Sequence, residues 1–254
     1  MREINTINKR SQDGLKAYFL CSSCEADFSL PEKHFSENLY KNINQNKSYA
    51  ATIVDETTYH FVISLAWRCL AYGLGNDPLT NYHPEEIDAM RHSEKTVRDY
   101  LLKKREDLLT IACFLYPVLA TNTTDSEKVV RHVNYAISHD VIAYDNGNIV
   151  LYITVPNLIF IVYFRMSEIF FDSNAHIAIG NKIWQNKPII PTSALSFCTE
   201  RHDSSMARVN QEILPETRLK LSQKYLNEFE TSDFYAELRE MMEDTNKTAK
   251  KDKV

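Results

Sequence analysis

The chain has 254 residues, a formal net charge of -5 at pH 7, and 44% hydrophobic against 25% charged residues. This composition is that of a globular protein, and it excludes a disordered or fibrous chain. The acidic balance lacks the basic excess that a general nucleic-acid binder needs to neutralise phosphates. At this length the chain can bury a large core without disulfides or structural metals.

The amino-terminal sequence indicates the compartment. Residues 1–16 are polar and carry no apolar stretch of the kind found in secretory signals, so we expect a cytoplasmic protein. An odd number of scattered cysteines also favours a reducing compartment over a disulfide framework. These residues are Cys21, Cys24, Cys69, Cys113 and Cys198.

A pair of cysteines precedes the first predicted helix. Cys21 and Cys24, in the sequence CSSC, can supply two of the four ligands of a tetrahedral zinc ion. Ser29 is the predicted N-cap of the following helix, and Pro31 falls near its first turn. This order of a knuckle followed by a helix is the one used by treble-clef zinc folds. Two thiols alone hold zinc poorly, so a metal-free remnant is the favoured interpretation, and a structural zinc completed by other ligands is the alternative.

The next predicted helix, near residues 57–75, is apolar on nearly every face and should be central to the core. Trp67 and Arg68 lie in its middle and are assigned to the structural core. The helix is too short for a membrane span, and its arginine opposes that interpretation. A buried arginine needs a carboxylate partner, and we favour a structural ion pair over a catalytic role for Arg68.

A charged helix follows, and Pro84, Glu85 and Glu86 form its predicted first turn. The basic residues Lys9 and Arg10, near the cysteine pair, are candidate contacts to nucleic acid. The later basic cluster at 98–105 is more typical of a solvated helix face. Up to residue 122 the chain is predicted to be mainly helical.

Strands are predicted beyond residue 130, where Val, Ile, Tyr and Phe dominate. The turn sequence at 145–148 indicates a hairpin, and Pro156-Asn157 divides the apolar run 149–164 into two strands. The uninterrupted apolar length is too short for a bilayer, so no membrane span is expected. A weaker strand is predicted within 174–184, and helical spacing returns over 215–243.

The predicted fold class is α+β, with a knuckle-like amino terminus, a helical middle, a small antiparallel sheet and C-terminal helices. The expected segments are 1–47 (knuckle and first helix), 48–122 (helical), 123–243 (sheet and C-terminal helices) and 244–254 (a disordered tail). We expect the segments before the tail to form one compact unit.

Common catalytic motifs do not occur in the sequence. It has no glycine-rich phosphate loop, no G-x-S-x-G and no H-E-x-x-H. The eight histidines are scattered, and the doublet His139-Asp140 would point to opposite faces of a strand. No catalytic residue is assigned.

The residues around the cysteine pair resemble a group of largely uncharacterised bacterial proteins that is similar to HNH-type treble-clef endonucleases. In that group a C-x-x-C and a Ser-His-Ile-Ile-Pro motif precede an Asn-Lys-Arg-x-Gln-Asp-Gly stretch, a second C-x-x-C-Glu, an acidic-aromatic helix and a Ser-Leu-Ser-Trp-Arg helix. The matching residues here are Asn8, Lys9, Arg10, Gln12, Asp13, Gly14, Cys21, Cys24, Glu25, Phe28, Ser29, Glu32, Phe35, Ser64, Leu65, Trp67 and Arg68.

The resemblance implies a zinc-binding scaffold of bacterial or phage origin, with a histidine that activates water beside a catalytic metal. This sequence contains neither the first C-x-x-C nor the His-Ile-Ile-Pro motif. We therefore expect a non-catalytic or truncated relative that acts as a binding or regulatory protein in a mobile-element or defence setting, with DNA or another protein chain as partner. The alternatives are a metal-dependent endonuclease whose amino-terminal half-site is missing, and an interaction module without metal.

Overall fold

The structure is a computed structural model, and it describes residues 20–76, 79–108, 111–119, 129, 132–134, 137–144, 148–165 and 171–212. The chain divides into two compact units, one of residues 16–202 and one of residues 1–15 with 203–254. The first unit contains nearly all of the described residues. The helical spacing at 215–243 and the tail from residue 244 lie outside them.

The first unit begins with a long helical run. Helix α1 (Ser22–Phe35) continues through a π-helical turn (Ser36–Tyr40) into α2 (Lys41–Asn46). The run ends at Lys47, whose positive φ of 49° is a common way to terminate a helix. The predicted N-cap at Ser29 is wrong, because the helix begins seven residues earlier and Cys21 is its N-cap. Ser29 instead lies inside α1, where its hydroxyl donates to the Ala26 carbonyl.

Helix α3 (Glu56–Asn76) is the central helix, packed against α1 and against α4 (Pro84–Leu101). A short 3₁₀ turn, Leu79–Asn81, precedes α4. Asp55 caps α3 by accepting the backbone N–H of Thr58 at 2.7 Å. The predicted start of α4 is confirmed, with Pro84 in the first turn and the Glu86 carboxylate accepting the His83 backbone N–H.

Within the described ranges the main sheet has five antiparallel strands in the order β3-β4-β5-β2-β6. The hairpin predicted at residues 145–148 is confirmed as β3 with β4, and the predicted division at Pro156-Asn157 is confirmed as the boundary between β4 and β5, which also pair with each other. The strands are β2 (Ala112–Pro117), β3 (Ser138–Ala143), β4 (Ile149–Val155), β5 (Leu158–Arg165) and β6 (His176–Ile177).

Side chains alternate between two cores on the two faces of this sheet. On β5, Phe160 and Val162 join the core beneath helices α1, α3 and α4, whereas Ile161 and Tyr163 join the core on the other face. The second face is covered by residues 194–198 of helix α5 (Thr192–Glu212), where the Phe197 ring stacks on Tyr152 with centroids 5.0 Å apart. Burial on both faces explains why these strands are continuous apolar runs in the sequence.

Strand β2 corrects the prediction of a mainly helical chain up to residue 122. All six of its residues are buried, and the strand lies between β5 and β6. A short apolar run has no polar positions to reveal its period, so the sequence ACFLYP fits a buried helix as well as a buried strand.

The weak strand predicted at 174–184 is two short strands. Strand β6 joins the main sheet, and β7 (Lys182–Ile183) pairs with β1 (Thr52–Ile53) in a separate two-stranded ladder. Together the helices and antiparallel sheets confirm the α+β class. Among the described helices, none is both long enough and apolar enough to cross a bilayer.

Candidate functional site

Two of the residues that carry the resemblance, Glu32 and Arg68, meet between helices α1 and α3. Arg68 of α3 donates from Nη1 to the Glu32 carboxylate of α1 at 2.5 Å, and its Nε donates to the Ser64 carbonyl at 3.3 Å. The Glu32 side chain is 44% exposed and that of Arg68 is 25% exposed. The carboxylate partner predicted for Arg68 is therefore present, and it comes from the same set of matching residues.

Aromatic rings complete this contact, which we call the Arg68 cluster (Phe28, Glu32, Trp67, Arg68 and Glu94). The Arg68 guanidinium lies 5.7 Å from the centroid of the buried Phe28 ring, within the range of a cation–π interaction. Phe28 also contacts Trp67, with ring centroids 6.2 Å apart. The indole N–H of Trp67 donates to Glu94 of α4 at 2.8 Å. The Arg68 cluster thus joins three helices through side chains whose charges and polar groups already have partners.

The cysteine pair lies at the start of α1. Cys21 is the N-cap, and its Sγ is 3.5 Å from the backbone N of Cys24 and 3.4 Å from the Cys24 Sγ. The pKa of the Cys21 thiol is lowered, first by the backbone N–H of Cys24 and then by the Cys24 side chain. The pKa of the Cys24 thiol is raised, chiefly by its hydrogen bond with Cys21. The two thiols are therefore chemically unequal.

The pair can supply two ligands to zinc. Two thiolates on one tetrahedral zinc, each with a Zn–S bond of about 2.3 Å, stand about 3.8 Å apart, close to the sulfur spacing here. A structural zinc site needs four ligands. Within the described ranges, no group of three or more His, Cys, Asp or Glu side chains is arranged to hold a metal. The described residues thus offer half of a zinc site at Cys21 and Cys24.

A histidine bridges α1 to the cap of α3. His34 Nε2 lies 2.7 Å from the Asp55 carboxylate, and its Nδ1 lies 3.1 Å from the side-chain nitrogen of Asn38. Burial raises the pKa of Asp55, but the hydrogen bonds from Thr58 and the contact with His34 outweigh it, so the net pKa is lowered. These contacts join α1 to the N-terminus of α3.

A hydroxyl network lies near the end of the hairpin formed by β3 and β4. His132 Nε2 is 3.1 Å from the Ser138 hydroxyl, which is 2.7 Å from the Thr154 hydroxyl. A histidine within hydrogen-bonding distance of a serine hydroxyl is an arrangement that can activate the serine as a nucleophile. His132 and Thr154 are buried, however, and the Ser138 hydroxyl is already hydrogen-bonded to both. The network satisfies buried polar groups rather than presenting a nucleophile to a substrate.

The doublet His139-Asp140 behaves as predicted. The Asp140 carboxylate forms an ion pair with Arg201 of α5, whereas the His139 ring contacts the Tyr72 ring at 5.7 Å. The two side chains have different partners and do not form an acid–base pair.

His176 carries a prediction for the pH dependence of stability. Its ring lies between Phe171, with centroids 4.8 Å apart, and Phe114, at 5.3 Å, and burial lowers the pKa of the imidazole below its ordinary value of 6.5. Below pH 6.5 the imidazole binds a proton in the unfolded chain but stays neutral in the folded chain until its lower pKa is reached. The contribution of His176 to the free energy of unfolding is therefore fully present above pH 6.5 and is lost as the pH is lowered.

We therefore expect His176→Leu to reduce the loss of stability between pH 7 and pH 5, measured by urea denaturation at each pH. The substitution His92→Gln, at an exposed position on α4, is the control and should leave the pH dependence unchanged. Equal pH slopes for wild type and His176→Leu would contradict this assignment.

The structure places the predicted site residues in two groups. Cys21 and Cys24 form the pair at the start of α1, and Trp67 and Arg68 form the centre of the Arg68 cluster. Lys9 and Arg10 lie outside the described residues. In the later basic cluster, Arg98 contacts Glu94 at 3.4 Å and Arg105 contacts Asp107 at 2.9 Å.

Two residues that contribute to these contacts were not predicted from the sequence. Asp55 could have been found as an N-cap, since it directly precedes the apolar pattern of α3. Glu94 gives no such signal, because its contact with Trp67 depends on how α3 and α4 pack. Comparison with protein-family models, with curated proteins and with solved structures finds no match.

Proposed function

We propose that this chain is a non-catalytic relative of the HNH-like nuclease group and acts by binding another protein. The observation that carries the proposal is the ion pair between Glu32 and Arg68. These are the charged residues of the acidic-aromatic and Trp-Arg motifs in the described part of the chain. The two charges form an ion pair with each other between two helices, so neither side chain is directed at a substrate.

A surface near the edge strand β6 supports a protein as the partner. Phe171 and Ile189 are 57% and 67% exposed. Their chain segments adjoin, because the carboxylate of Asp172, next to Phe171, accepts the backbone N–H of Ile189 at 2.9 Å. We call this the Phe171 surface (Phe171 and Ile189). Exposed apolar side chains on adjoining segments favour a protein partner, and the net charge of -5 disfavours nucleic acid.

Cleavage is the first test of the proposal. Incubated with supercoiled plasmid and Mg²⁺ or Mn²⁺, the protein should produce no nicked DNA above the level given by Glu32→Ala. Because that variant removes the carboxylate of the motif, it controls for contaminating nuclease. Nicking by the wild type that Glu32→Ala loses would overturn the non-catalytic assignment and favour the metal-dependent endonuclease.

The binding surface is tested by site-specific photocrosslinking in the native host. A photoreactive phenylalanine analogue at Ile189 should crosslink to one defined protein. The same analogue at Glu37, a polar exposed position on the π-helical turn, should give no such product. Crosslinking to nucleic acid, or identical products from both positions, would count against a protein-binding Phe171 surface.

A further inference from the structure

The two thiols at the start of α1 are close enough to form a disulfide after a small movement. Their Sγ atoms are 3.4 Å apart, one helical turn apart along the chain. A disulfide needs an S–S distance of about 2.05 Å, so the sulfurs have to approach by about 1.4 Å. Rotation about the Cα–Cβ bonds can supply this movement, since Cys21 is exposed and Cys24 is half-buried at the helix terminus.

The geometry also assigns different roles to the two sulfurs. The backbone N–H of Cys24 points at the Cys21 Sγ, as in an N-cap, and this contact stabilises a thiolate on Cys21. Cys21 is also the more exposed of the two, so its sulfur is the one that an oxidant reaches first.

The remaining cysteines have no comparable environment. Cys113 and Cys198 are buried, and burial raises the pKa of each thiol to about 12. Cys69 is half-buried on α3, and desolvation likewise raises the pKa of its thiol to about 12. Thiols held in the protonated form are poor nucleophiles, so chemistry on this chain should be selective for the pair.

We propose that Cys21 and Cys24 form a thiol–disulfide exchange pair, with Cys21 as the attacking residue and a disulfide of the glutathione type as oxidant. The Cys21 thiolate attacks one sulfur of the oxidant, forms a mixed disulfide and releases one thiolate, which takes up a proton from solvent. Cys24 then loses its proton and attacks the Cys21 sulfur, which expels the second thiol. The pair is oxidised by two electrons, and the oxidant is reduced to two thiols.

This activity goes beyond the proposed binding function and requires no metal. It also competes with the zinc site suggested by the sequence motif, because a disulfide removes both thiolates that zinc would need.

The first experiment follows oxidation of the reduced full-length chain by oxidised glutathione, with alkylation of free thiols and mass spectrometry. The expected product has lost two hydrogen atoms and contains a peptide linking Cys21 to Cys24. Cys24→Ser should accumulate glutathione on Cys21, whereas Cys21→Ser should accumulate it on Cys24 more slowly. Absence of the disulfide, or stable glutathione on Cys24 in the Cys21→Ser variant at an equal rate, would overturn the assignment.

The second experiment compares thiol reactivity and metal binding in the same sample. At pH 7, Cys21 should be alkylated by iodoacetamide at least about tenfold faster than Cys69, because only Cys21 has access and a stabilised thiolate. Prior addition of Zn²⁺ should leave that rate unchanged. Protection of both Cys21 and Cys24 by one equivalent of Zn²⁺, together with no Cys21–Cys24 disulfide after oxidation of the zinc-free protein, would identify a metal site instead and would overturn the exchange pair.

Discussion

Replacing Trp184 with alanine is expected to lower the free energy of unfolding by about 3 to 5 kcal/mol. Trp184 follows β7, is 4% exposed, and packs against the Tyr49 ring with centroids 5.7 Å apart. Its indole N–H donates to the Leu115 carbonyl of β2 at 3.0 Å. The alanine variant loses both the buried ring and this hydrogen bond, which joins the segment after β7 to strand β2.

A Trp184→Phe variant separates the two contributions. Phenylalanine keeps most of the apolar contact but has no donor, so the loss should fall to about 1 to 3 kcal/mol, the range for a buried polar group left without its partner. Urea denaturation of the three proteins provides the measurement. If Trp184→Ala is within about 0.5 kcal/mol of wild type, the packing described here is wrong.

Replacing Arg68 with methionine is expected to lower the free energy of unfolding by about 1 to 2 kcal/mol. Methionine keeps much of the aliphatic contact with Phe28, but Glu32 loses its donor and the Ser64 carbonyl loses a second, side-chain donor. The estimate stays below that for a fully buried ion pair, because Glu32 is 44% exposed and solvent screens its charge.

Arg91→Met on α4 is the matched control for this prediction. The Arg91 side chain is 65% exposed, and its contact with Asp88 spans 3.8 Å on the same helix. Its loss should change the free energy of unfolding by less than about 0.5 kcal/mol, as for other exposed positions. Equal effects of Arg68→Met and Arg91→Met in thermal or urea denaturation would show that Arg68 stabilises the fold no more than an exposed arginine does.

The sequence predicted those parts of the fold that have a local signal. The turn residues Pro156 and Asn157 marked the break between β4 and β5, and Asn157 adopts a positive φ of 66° that turns of this kind use. Pro84 marked the start of α4 for a similar reason. Strand β2 was missed because its apolar run has no period, and only its pairing with β5 and β6 distinguishes it from a helix.

The residues of the candidate site were likewise predicted only where the sequence carries a local signal. The need of Arg68 for a carboxylate could be read from its place in an apolar helix, but its partner Glu32 lies 36 residues earlier in the chain. The role of Cys21 as N-cap was missed because Ser29 and Pro31 resemble a helix start more closely than CSSC does. Both outcomes depend on how α1 begins and packs, which single-residue preferences do not determine.

The central claim, that Glu32 and Arg68 act on each other within the scaffold, is tested most directly by a double-mutant cycle. Stability is measured for wild type, Glu32→Ala, Arg68→Met and the double variant under one set of conditions. We expect a favourable coupling free energy of about 0.5 to 2 kcal/mol, because the two groups share one hydrogen bond and removal of either leaves the other without its partner. Additive effects would contradict this account, because they would leave the charges of Glu32 and Arg68 available for chemistry elsewhere.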